Sequence, residues 1–127
     1  MPFQRINMPI AAILKSLTEE FIERWNNWEI DKAVAFLKED VIVYSPNIQL
    51  IYPENTECKI VGKQKVHDYW NILHKHMSNT RFKLESFNKL EHEIYTISSI
   101  SDRTEKLYTW FTYTEYGKIS MLKFEYK

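Results

Sequence analysis

A chain of 127 residues, 44% of them hydrophobic, has the length and composition of one domain that builds its core without a disulfide or metal. Seventeen Lys and Arg balance seventeen Asp and Glu, which excludes the basic field of a nucleic-acid or anionic-membrane binder. One cysteine, Cys58, cannot close an internal bridge, and four scattered histidines show no zinc-type spacing, so neither metal nor cofactor is expected.

The unpaired thiol is compatible with a reducing compartment. The apolar run Met8 to Leu14 is broken by Lys15, too short for a bilayer, and no small-residue cleavage site follows. The cytoplasm is therefore the expected location. Aromatic residues make up 15% of the chain, against two glycines, a composition suited to a ring-filled core or a ring-lined pocket.

Residues 1–8 carry no periodicity and read as a loose arm on a single domain spanning 1–127. Pro9 suits a first helical turn. From there Ile10, Ile13, Leu14, Leu17, Phe21, Ile22, Trp25 and Trp28 recur at three- and four-residue steps, the apolar stripe of a long helix. Asp31 reads as the N-cap of a short second helix running to about Leu37. Val41 to Tyr44 is β-branched and aromatic, hence a strand. Pro46 and Pro53 bracket a segment, 47–57, that reads as an irregular loop with one short strand.

Gly62 opens a third helix with Val66, Tyr69, Trp70, Leu73 and Met77 on one side. After Asn79 four β-rich stretches follow, at about 81–90, 93–101, 106–115 and 118–126. Their joins (Glu91-His92, Ser101 to Glu105, Tyr116-Gly117) are short enough for hairpins. Helices first and an antiparallel meander afterwards give an α+β class.

The stretches "EEFIERWNNWEIDKAVAFLKEDVIVYSP" (19–46), "VGKQKVHDYWNIL" (61–73) and "FTYTEYGKISML" (111–122) carry a resemblance. In that order they resemble the nuclear transport factor 2-like superfamily, in its SnoaL-like and ketosteroid-isomerase-like branch. The resemblance implies a cone-shaped, strongly curved mixed sheet, the cystatin-like roll, wrapped around an apolar cavity and closed by three helices from the first half. It also implies nothing fixed about chemistry, since such folds host isomerases, cyclases, hydrolases and non-catalytic binders.

On the ketosteroid-isomerase-like pattern, the proton-moving acid before a proline falls on Ser45, ahead of Pro46. The oxyanion-stabilising tyrosine of the first helix falls on Phe21, and the second acid on Thr109. A serine without an activating base does not accept a proton near neutral pH, and phenylalanine donates none. That mechanism is therefore not expected.

Strand alternation sorts the remaining candidates. If Thr109 points inward, so do Leu107, Phe111 and Tyr113, and on the last strand Leu122, Phe124 and Tyr126. With Phe21, Trp25 and Trp70 from the helices, these line an apolar chamber whose polar points include Ser45 and Thr109, as a small-molecule site requires. The expected ligand is a small hydrophobic molecule held by Phe21, Trp25, Ser45, Trp70, Thr109, Phe111, Leu122 and Tyr126. The bland alternative is that the rings simply fill the cone.

Outward Tyr108, Trp110 and Thr112 suggest a covered face and, by the same resemblance, a homodimer. His74, one turn after Trp70, is a rim candidate, whereas His67, His76 and His92 read as surface groups. Asp102-Arg103 sits in a turn and Asp68 on a helix surface, both ordinary solvated positions. Ligand binding is the leading expectation. An isomerase-, cyclase- or dehydratase-type enzyme using Ser45, Thr109 or His74 unconventionally, and a dimeric interaction protein, are the alternatives.

Overall fold

The protein is described by a computed structural model covering residues 10–90 and 93–127. The expected arm at 1–8 and the join at Glu91-His92 lie outside the described residues. Four helices and six strands follow in chain order: α1 Ile10–Asn26, α2 Ile30–Val34, β1 Leu37–Tyr44, α3 Asn47–Ile51, β2 Lys59–Val61, α4 Lys63–His76, β3 Phe82–Lys89, β4 Ile94–Ile100, β5 Lys106–Tyr113 and β6 Ile119–Tyr126.

The stripe of α1 is buried where it meets the sheet, at Phe21, Ile22 and Trp25, while Ile13 near its start stays half exposed. The helix ends in two overlapping bonds: Trp28 N–H donates to the Trp25 carbonyl (3.0 Å) and Glu29 N–H to that of Arg24 (2.9 Å). Trp28 sits between them at φ 59. This is the Schellman arrangement, whose left-handed residue is usually glycine.

The second helix corrects two expectations. It stops at Val34, and Leu37 begins β1 instead. Glu29, not Asp31, holds the cap position and makes no side-chain cap bond. Asp31 lies in the first turn, where its carboxylate accepts from His67 Nε2 at 2.7 Å and ties α2 to α4. The segment 47–57 also differs, since it contains the single turn of α3 where a loop with a short strand was expected.

The six strands form one curved, unclosed sheet in the order β2-β1-β6-β5-β4-β3. All neighbours are antiparallel except β1 and β6, which run parallel with Val43 opposite Leu122. At the β2 edge, the Asn55 side chain donates to the Lys59 carbonyl (2.9 Å) and accepts the Lys59 N–H (3.3 Å).

Alternation places Val41, Val43, Leu122, Phe124, Leu107, Thr109, Phe111, Ile94, Thr96, Ser98 and Ile100 on the buried side. Helices α1 and α4 cover that side with Phe21, Trp25, Tyr69, Trp70 and Leu73, all buried. Each such large apolar side chain contributes roughly 1.5–3 kcal/mol when withdrawn from water. No helix among the described residues is long and apolar enough to cross a membrane.

Candidate functional site

The interior begins with rings. Phe21 meets Phe111 edge-on at 5.8 Å and tilts against Trp70 at 6.2 Å. Trp25 stacks on Phe124 at 5.1 Å, lies 5.1 Å from Phe82 and touches Trp70 edge-on at 6.3 Å. The expected pocket residues Phe21, Trp25, Trp70 and Phe111 are thus joined through a chain of ring contacts, and Leu122 lies beside Phe111 on the neighbouring strand. Tyr126 stands apart at one end, half buried, with its hydroxyl accepting from Asn47 Nδ2 at 2.6 Å and its ring under Arg103.

Among these rings runs a strip of hydroxyls on β4 and β5. Thr96 and Thr109 face each other across the two strands, and Ser98 follows opposite Leu107. All three residues are at most 1% exposed, and none of their hydroxyl oxygens has a hydrogen-bond partner among the described residues. Thr109 also pairs with Phe124, the residue on which Trp25 stacks, so the Trp25 ring lies on the strand next to the Thr109 end of the strip. The Trp25 indole N–H is itself buried and unpartnered.

A buried hydroxyl without a partner costs about 1–3 kcal/mol. Three of them on one face of two paired strands are the distinctive polar feature of this interior. Thr96 and Ser98 were not expected from the sequence. The signal was available, because Ile94, Thr96, Ser98 and Ile100 alternate as Leu107, Thr109 and Phe111 do.

Ser45 answers differently. It is buried, but its Oγ accepts the N–H of Asn47 (3.2 Å), its carbonyl accepts the N–H of Ile48 and its own N–H donates to the Cys58 carbonyl. The hydroxyl is engaged in starting α3, a turn role. The Tyr69 hydroxyl faces Ser45 without a well-formed hydrogen bond, and burial pushes this phenol well above its ordinary range, so it remains a neutral donor. Burial likewise raises Tyr126, with Asn47 and Arg103 acting against it.

Charge is missing from this interior. The buried polar side chains among the described residues are Thr18, Asn26, Ser45, Thr96, Ser98 and Thr109, none ionisable. His74 is half buried outside the ring cluster, stacked face to face on Trp28 (4.7 Å, 10° between planes). Asp102 and Arg103 lie exposed in the β4–β5 turn, where Arg103 pairs with Glu105. No group of three His, Cys, Asp or Glu side chains among the described residues could hold a metal.

Four clefts open on the outside of the cone, and none of the four is lined by Ser45 or Thr109. The largest of them, about 450 Å3, lies between Tyr52, Lys59, Ile60 and Lys65. Two more, about 360 and 290 Å3, are both lined by Trp28 and His74. The fourth, about 360 Å3, lies on the outer sheet face beside Trp110, Thr112 and Glu125. On that face Tyr95 stacks on Trp110 at 4.4 Å and on Tyr108 at 6.1 Å, with the Lys127 ammonium 5.0 Å above the Tyr108 ring.

Helices laid over the concave side of an open sheet ordered β2-β1-β6-β5-β4-β3 are shared with known structures. A SnoaL-like protein of unknown function from Burkholderia thailandensis superposes with a TM-score of 0.78 at 16% identity, covering 91% of this chain and 96% of its own. The chain has the nuclear transport factor 2-like fold in its SnoaL-like form. An NTF2-like protein of unknown function from Cytophaga hutchinsonii gives 0.66 at 14% identity, over 90% and 89% of the two chains. An epoxide hydrolase/cyclase-like enzyme, SalBIII, of pyran ring formation in salinomycin gives 0.69 at 13%, over 94% and 95%. No family model matches the chain, and no curated protein matches it by sequence. At these identities the likeness to SnoaL-like structures establishes the fold, and the chemistry rests on the residues above.

Proposed function

We propose that this SnoaL-like protein binds a small, uncharged, largely apolar molecule inside the cone, against the Thr96–Ser98–Thr109 strip. The observation that carries the reading is the set of buried, unpartnered hydroxyls beside the Trp25 ring. Rings supply apolar contact, and the hydroxyls with the Trp25 indole donor supply orientation, as in small-molecule sites generally. The guest shares the space with Trp25, Trp70 and Phe124, whose rings shift to admit it. The absence of a buried carboxylate or histidine among the described residues favours binding over proton-transfer catalysis.

The test is calorimetric titration with 1-naphthol and with naphthalene. The wild-type protein binds both saturably, 1-naphthol the more tightly. Thr96→Val/Ser98→Ala/Thr109→Val retains naphthalene and loses the preference. A preference unchanged in the triple variant removes the strip from the site.

The outer face supports a second element of the reading, the pairing of two copies through Tyr95, Tyr108 and Trp110. A stacked row of half-buried rings flanked by Lys127 and Glu125 has the mixed apolar and charged character of a self-complementary interface. The single thiol, Cys58, is the feature that supports a cytoplasmic setting.

A further inference from the structure

We infer that the Trp28–His74 stack is the gate of the interior: solutes reach the hydroxyl strip by displacing the Trp28 ring. The guest-binding half of this inference rests on the function proposed above. The closure itself stands on geometry.

Trp28 occupies the left-handed position of the Schellman turn that ends α1, with φ 59. Glycine is preferred there because any Cβ is crowded in that conformation. A bulky aromatic in left-handed space is an outlier that points to a use for its side chain. The use visible here is closure. The indole lies face to face on His74, 5.6 Å from Trp25 and 6.3 Å from Phe82, so it joins the outer surface to the rings beside the strip.

The surroundings suit a part that moves. The Trp28 indole N–H has no hydrogen-bond partner among the described residues, so turning the ring breaks packing but no hydrogen bond of its own. Clefts of about 360 and 290 Å3 flank the stack and give the ring somewhere to go. The backbone that carries it is fixed on both sides by the bonds to Trp25 and Arg24 and by the Arg24–Glu29 ion pair at 3.2 Å. Side-chain rotation on a held backbone is the motion this arrangement permits. Behind the ring, Trp25 and Phe82 are buried and Phe124 stacks on Trp25. A flat guest can replace the Trp28 contacts to Trp25 and Phe82 as it passes, so the gate favours planar molecules over branched ones.

Trp28→Gly tests this, because glycine is the residue the turn prefers. Trp28→Phe/Trp110→Phe, which keeps a ring at position 28, is the reference, because its tryptophan emission comes from Trp25 and Trp70 alone, which are 4% and 1% exposed. Acrylamide quenching of these two rises several-fold in Trp28→Gly/Trp110→Phe over that reference, and stopped-flow association of 1-naphthol accelerates by a similar factor. His74→Ala added to the reference, which leaves the ring at position 28 without its stacking partner, gives an intermediate rise and serves if the glycine variant fails to fold. Quenching unchanged in both variants overturns the gate, even if 1-naphthol binds. Increased quenching with no 1-naphthol binding by either protein upholds the gate and removes the proposed guest.

Discussion

Replacing Thr109 by valine exchanges a hydroxyl for a methyl of nearly the same volume at a position that is 0% exposed. If its oxygen is unpartnered, as the geometry gives it, the change relieves a buried polar group and adds apolar contact. The relief is about 1 kcal/mol, the low end of the range for an unsatisfied buried hydroxyl. For a domain of this size that raises Tm by about 3–5 °C. Thr96 stands directly opposite Thr109, so a cross-strand hydrogen bond between the two hydroxyls is the competing description.

A double-mutant cycle separates the two descriptions. With unpartnered hydroxyls, Thr96→Val, Thr109→Val and the double variant stabilise additively in urea titrations with unchanged m. With a Thr–Thr bond, each single variant orphans its neighbour and destabilises, while the double variant recovers. A coupling of about 1 kcal/mol or more, with destabilised singles, would refute the argument for the strip.

Three further outcomes are expected. Trp70→Ala, at the centre of the ring cluster and 1% exposed, destabilises by about 3–5 kcal/mol in chemical denaturation. Burial raises Tyr113 to about 12, opposed by its hydrogen bond with Thr18, so the native state holds a proton that the unfolded chain loses near pH 10. The contribution of Tyr113 to stability is therefore level below about pH 10 and falls on the order of 2 kcal/mol between pH 10 and 12, alongside the falls due to the raised Tyr69 and Tyr126. Tyr113→Phe lessens that fall in alkaline unfolding curves, and an unaltered curve would assign it to other tyrosines. Tyr108→Glu with Trp110→Glu, placing like charges on the outer face, converts a dimer to a monomer in sedimentation velocity. An unchanged sedimentation coefficient would show that this face pairs nothing.

Much of this was legible in the sequence. The four late strands stand within one or two residues of their expected bounds, because β-branched and aromatic residues alternate there over seven or eight positions. The inward set Leu107, Thr109, Phe111 follows from the same two-residue period. What escaped was short or depended on tertiary contact. A five-residue helix such as α3 completes too few turns to show periodicity, and two flanking prolines read as loop. Asp31 has the chemistry of a cap, yet its carboxylate is held by His67, a partner 36 residues away that no local pattern reveals. Trp28 continues the stripe of α1 in spacing but has left the helix, and its left-handed backbone is fixed by bonds to Trp25 and Arg24. Thr96 and Tyr95 stand on opposite faces of β4, whose two-residue alternation carries the same signal as that of β5.

The amide of Asn55 bears on how the molecule behaves in a crowd. An open sheet offers its outermost strand as a template on which another chain can lengthen the array, the first step toward disordered association. At Lys59 both main-chain groups already answer to a side chain from the same molecule, so a stranger approaching β2 at that residue finds both docking points taken. One asparagine thereby blunts this edge at its first residue, while the sheet stays unclosed and β3 forms its other edge.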